Sequence, residues 1–162
     1  MSLGSADDAN SIQAFALSHS LVVIPLPVPH RDEFSETVGF LAIGSGKQAL
    51  YLPDIDSFDA WVGKDGQTRF LKMLALSHYV FVDATFYDDN ELPGRDMSEI
   101  PHPRVTETMD LLRNLPTEQR AKVHFIHYNH TNPIRDPDSK ESREVQARGF
   151  NVARRGDRFC LD

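Results

Sequence analysis

The chain has 162 residues, enough for one domain with a sizeable core, and its 40% hydrophobic and 25% charged residues suit a folded globular protein. A net charge of −7 speaks against a nucleic-acid backbone as partner, because phosphate contacts need a basic surface. No apolar run approaches the ~20 residues of a membrane span and no signal peptide is visible, so cytoplasmic residence is the default, and a single cysteine, Cys160, excludes an internal disulfide.

Residues 1–11 are small and polar and read as a disordered terminus or a cloning remnant; residues 12–162 read as a single domain. Leu21, Val22, Val23 and Ile24 form a β-branched run, predicted as a strand that Pro25, Pro27 and Pro29 bring to an end. A polar loop over residues 30–37 leads to a strand over 38–43. The glycines of Gly44-Ser45-Gly46-Lys47 predict a hairpin turn, and residues 49–52 return as the partner strand. Asp56 or Ser57 can cap a short helix through Trp61. Phe70, Leu71, Leu74 and Ala75 recur at helical spacing, which predicts a helix over 67–76.

Tyr79, Val80, Phe81 and Val82 form a near-continuous apolar run, as expected of a strand buried on both faces. The long polar loop over 86–103 has the length of a functional segment. A helix is expected over 105–115, a strand over 123–126, and a helix over 139–148 with Ser139 as its cap and Gly149 as its stop. Residues 150–152 and 158–161 read as a closing hairpin, in which Cys160 is a small buried hydrophobe and Arg154, Arg155 and Arg158 form a solvated face. Strands alternating with helices predict an α/β layered domain.

Three polar clusters stand at predicted strand ends, where such folds place their sites. Asp54 and Asp56 follow the strand ending at Leu52; a carboxylate there either caps the next segment or ligates a divalent metal. Asp83 ends the buried strand and needs a partner, and His102 lies between Pro101 and Pro103 on a stiff segment. His127 leaves the strand over 123–126 into Asn129, His130, Thr131, Asn132 and Pro133, a setting for a metal-ligating imidazole or for a satisfied core histidine. Strand alternation places His127 on the face of Val123 and Phe125, away from His124. His30 sits in a charged turn with Arg31, Asp32 and Glu33, which by itself reads as solvated. No GxGxxG, P-loop, CxxC pair, HExxH or GxSxG motif is present.

Taken together, these clusters resemble the metallo-β-lactamase-fold superfamily. Leu50-Tyr51-Leu52-Pro53-Asp54 looks like its strand-plus-aspartate motif, and residues 81–86 look like the following strand. Phe125-Ile126-His127 looks like the strand bearing the last histidine ligand. With Asn129 and Thr131-Asn132-Pro133, the stretch from residue 21 onward is similar to the C-terminal half of the subgroup that includes the pyrroloquinoline-quinone biosynthesis protein B family. The resemblance implies an α/β fold, half of an αββα sandwich, with a mixed sheet and helices on one face. It also implies Asp54 and His127 as ligands of a divalent metal, zinc or iron, with His30, Asp83 and His102 lining the pocket as catalytic groups.

The superfamily's main metal motif, His-x-His-x-Asp-His, occurs nowhere in the chain. Two protein ligands fall short of the three that catalytic zinc normally uses. The expectation is therefore a partial metal-dependent hydrolase acting on a small-molecule substrate and inactive alone, completed by a homodimer partner or a missing N-terminal half. The alternatives are a non-catalytic binding or regulatory module and a factor in quinone cofactor biosynthesis.

Overall fold

A computed structural model of the chain describes residues 14–31, 36–63 and 68–162. The expectations for residues 1–11, for Asp32 and Glu33 in the His30 turn, and for Gln67 as a helix start lie outside the described residues. A seven-stranded sheet runs in chain order, β1-β2-β3-β4-β5-β6-β7. Its strands are β1 (Phe15–Ser18), β2 (Leu21–Pro27), β3 (Val38–Ile43), β4 (Gln48–Leu52), β5 (Tyr79–Asp83), β6 (Val123–Ile126) and β7 (Asn151–Val152). The first four pair antiparallel and the last four parallel, so the sheet is mixed. The helices α1 (Arg69–Leu76), α2 (Val105–Leu111), α3 (Thr117–Arg120) and α4 (Lys140–Ala147) lie in the crossovers that parallel pairing requires.

Strand alternation sorts the two faces. Leu50, Leu52, Val80, Val82, Val123 and Phe125 are fully buried and share one core with Phe70, Leu74, Met109, Leu112 and Val145 of the helical segments. Each such side chain contributes ~1.5–3 kcal/mol on burial. Tyr79 and Phe81 point to the opposite face and are only half-buried, so β5 is not a strand enclosed on both sides. There Tyr51, Phe81 and His124 lie side by side across neighbouring strands, and the C-terminal tail lays Phe159 against Phe81 and His124 at ring distances of 4.8 and 4.9 Å.

Several expectations are corrected. Pairing does not stop at Pro25: β2 continues to Pro27, with Pro25 opposite Phe40 and Pro27 opposite Val38. Val28 donates its N–H to the Thr37 carbonyl, which sets the even-numbered residues of β2 as those bonding β3. Pro25 and Pro27 thus present their missing donors to the other side, beyond Val23 where pairing with β1 ends. The segment after Ser57 is a turn rather than a helix, because the Trp61 indole donates to the Pro27 carbonyl at 2.9 Å while Val62 bridges to Thr68. Helix α2 stops at Leu111, four residues short, as the chain prepares for Pro116.

The closing hairpin does not form. β7 instead joins β6 in parallel, and the tail crosses to the turn at residues 44–47, where the Leu161 carbonyl accepts the N–H groups of Gly46 and Lys47. Phe159 and Leu161 are half-buried, which leaves Cys160 between them exposed rather than buried. Arg154 is half-buried too, donating to the Ile134 carbonyl at 2.6 Å, so it is not part of a solvated face.

Candidate metal centre

The C-terminal ends of β4, β5 and β6 bring three polar side chains to one shallow cleft, open enough to leave His127 about half exposed. Asp54 follows β4, Asp83 closes β5, and His127 is the first residue beyond β6. Parallel pairing puts these three strand ends side by side, so residues 29 and 44 positions apart in sequence meet. One side-chain ligand atom from each of Asp54, Asp83 and His127 lies within 4.8 Å of the others. His102 and His30 complete the wall: His30 Nε2 is 3.2 Å from Asp54 Oδ1, and His102 Nδ1 is 3.7 Å from the same oxygen. All five residues singled out in the sequence therefore converge on one place.

Asp83 is the fixed point. Its side chain is 0% exposed, and both oxygens are occupied. The Thr85 N–H and hydroxyl donate to Oδ1 at 2.7 and 2.6 Å. The Ile55 N–H and His102 Nδ1 approach Oδ2 at 3.3 and 2.7 Å. Burial alone would raise the Asp83 pKa; the His102 hydrogen bond, the nearby His127 imidazole and the Thr85 hydroxyl outweigh it and hold the carboxyl at about 2. An ionised carboxylate only accepts, so His102 donates from Nδ1 and turns Nε2 to the cleft.

The same logic orients His127. The Thr85 hydroxyl proton is spent on Asp83, so the Thr85 oxygen, 3.2 Å away, accepts from His127 Nδ1. Neutral His127 then presents an Nε2 lone pair, on a side chain that is 46% exposed. Its pKa is raised, first by the Asp83 carboxylate 3.8 Å from Nδ1, against the opposing effect of burial. Strand alternation put this residue on the face of Phe125, but the backbone departs from alternation here: His127 has φ 57, the one positive φ outside glycine among the described residues. The left-handed turn swings the imidazole across to Asp83. Bonds from the Asn129 N–H to the Thr85 carbonyl (3.0 Å) and from the Asn132 amide to the Ala84 carbonyl (2.7 Å) hold the turn in place.

Asp54 and His127 fit a hard-to-intermediate divalent cation. Asp54 Oδ1 is buried and accepts no well-aligned hydrogen bond among the described residues, its nearest donors being His30 Nε2 at 3.2 Å and His102 Nδ1 at 3.7 Å; Asp56 Oδ1 likewise accepts none, with His30 Nε2 at 3.9 Å, and such carboxylate oxygens are costly to bury without a cation. Asp83 fits less well as a ligand, since four donors already occupy it. Sequence reasoning missed Thr85, which links Asp83, His102 and His127 through one hydroxyl. Its place two residues after a strand-end aspartate was the available signal, as in other Asx-type turns.

Known proteins bear on this geometry. No protein-family model matches the chain. Coenzyme PQQ synthesis protein B of Pseudomonas fluorescens (strain Pf0-1) is 30% identical, with 88% of this chain and 50% of that protein aligned. The Pseudomonas putida (strain F1) protein of the same description is 33% identical over 72% of this chain and 38% of its own length. Among solved structures, Zn(2+)-bound PqqB from Methylobacterium extorquens superposes with a TM-score of 0.65 at 24% identity, covering 88% of this chain and 47% of that one. The chain spans about half the length of the curated relatives it matches. The chain thus belongs to the coenzyme PQQ synthesis protein B family and carries about half of that family's metallo-β-lactamase fold.

Proposed function

We propose that the chain is a metal-binding factor of quinone cofactor biosynthesis, in which Asp54 and His127 are the metal ligands and His30, Asp83 and His102 serve the chemistry around them. The observation that carries this reading is the pairing of a buried Asp54 oxygen that accepts no well-aligned hydrogen bond with an imidazole whose Nδ1 is already engaged. Relatives named for coenzyme PQQ synthesis and a zinc-bound structural neighbour support it. A cation held there supplies Lewis acidity toward a carbonyl or phosphoryl oxygen. The chain's own groups do the rest: Asp83 fixes the His102 tautomer, so Nε2 is the atom left to deliver or receive a proton. His30 Nε2, 3.2 Å from Asp54, orients that carboxylate. With two firm ligands and no His-x-His-x-Asp-His run, hydrolysis by this chain alone is expected to be negligible.

The test is zinc or iron content after loading and desalting, compared among wild type, Asp54→Ala and His127→Ala. The wild type should hold metal and both variants should lose most of it; equal content in all three defeats the ligand assignment. A second reading, a non-catalytic binding module, is favoured by the saturated Asp83, which satisfies its charge without a metal. Unfolding that is insensitive to chelator would favour that reading.

A further inference from the structure

Beside the cleft opens a cavity of about 810 Å³, and Asp56 and His102 lie in the wall they share. The volume suits a small-molecule ligand rather than a water cluster. The lining carries five carboxylates against two guanidinium groups. One of those cations is already spent: Arg104 bonds Asp89 through Nε at 2.8 Å and gives its terminal nitrogens to the carbonyls of Met97, Ile100 and His102. Of the other lining carboxylates, Asp96 accepts from Ser98 and Glu107 from the Arg104 backbone N–H, which leaves Asp56, with His30 Nε2 3.9 Å away, and Asp59; Arg95 is the second guanidinium among the described residues. Two polar atoms in the lining make no hydrogen bond among the described residues: Asp56 Oδ1, whose nearest cationic group is His30 Nε2 at 3.9 Å, and the hydroxyl oxygen of Thr108, a residue only 1% exposed. Phe58, Met97, Ile100 and Leu111 supply apolar wall between these groups.

The structure assigns this cavity to a substrate bearing a cationic group, an ammonium or guanidinium on an apolar or aromatic stem, with Asp56 and Asp59 as its counter-charges. A cation there meets a concave wall of opposite sign, where attraction is stronger than at a flat neutral surface. An apolar stem fills the cavity, and the end of the ligand near Asp56 and His102 faces the cleft. As a substrate cavity it rests on the metal-centre reading above; its preference for cations does not.

Isothermal titration of the full chain with three probes sharing a phenyl body separates the charge from the shape: phenethylamine, 2-phenylethanol and 3-phenylpropionate. The titrations are run in excess EDTA and repeated after zinc loading. Phenethylamine should bind about tenfold tighter than the alcohol or better, with the propionate undetectable, and Asp56→Asn/Asp59→Asn should bring amine and alcohol within about twofold. The amine should shift the Met97 methyl resonance in wild type. An alcohol that binds as tightly as the amine overturns the proposal, as does a preference the double variant keeps or an amine that leaves Met97 unmoved. Amine preference without zinc uptake defeats only the metal reading; zinc uptake without amine preference defeats only this one.

Discussion

His127 holds a left-handed backbone, which places its Cβ against the following carbonyl at a cost of roughly 1–2 kcal/mol for any L-residue. Glycine escapes that cost. His127→Gly and His127→Ala both remove the imidazole, so both should lose metal equally. They should differ in stability, the glycine variant unfolding at higher urea by about 1 kcal/mol despite its looser unfolded chain. Equal urea midpoints would show that the turn relaxes once the imidazole is gone, and that the strain belongs to the Asp83 and Thr85 contacts. The residue scale also separates roles within the cluster. Asp83, with four donors, is a positioning group; Asp54, whose Oδ1 accepts no well-aligned hydrogen bond, is the group that a cation would change most.

At the scale of elements, the tail and the β3–β4 turn depend on each other. The turn closes through the Gly44 N–H to the Lys47 carbonyl at 2.8 Å, and the Leu161 carbonyl docks on its outer donors. A Cβ on Gly44 would meet the Leu161 carbonyl oxygen at 2.2 Å, so this glycine is required by close approach, with no positive φ to explain it. Gly44→Ala should expel the tail: amide exchange at Gly46 and Lys47 should accelerate while the amides of β5 stay protected. Unchanged exchange at both would mean that the turn shifts and the tail stays. This pairing also marks what a local reading can reach. Asp54, Asp83 and His127 were legible because apolar runs end at them, and strand ends deliver side chains to loops. The reach of β2 through Pro25 and Pro27 was not, because it depends on where a neighbouring strand stops. The tail alternates like a strand over Phe159 and Leu161, yet its partners are an aromatic face and a turn more than 100 residues earlier. Nor does any local pattern announce a histidine with positive φ.

Among the described residues the sheet is asymmetric, closed by helices on one face and by the C-terminal tail over part of the other. His124 sits at the centre of that second face, enclosed by Phe81, Tyr79 and Phe159, with Nδ1 donating to the Lys122 carbonyl at 2.8 Å. Burial pushes its pKa below the ordinary 6.5, and the Lys122 carbonyl and the Asp157 charge only partly offset this. The folded chain therefore takes up a proton here less readily than the unfolded chain. Its contribution to stability is complete above the unfolded value of 6.5 and is lost as pH falls below that value toward the folded one. His127 works in the opposite sense, its raised pKa giving stability that is complete below 6.5 and lost as pH rises. Comparing variants isolates the His124 effect. Between about pH 8 and about pH 5.5 the thermal midpoint of wild type should fall more steeply than that of His124→Gln. Phe159→Ala, which lifts the tail's ring and readmits water, should flatten the slope in the same direction while keeping the imidazole. Parallel slopes in all three proteins would mean that the tail does not shield His124, and that this face of the sheet stands open to solvent.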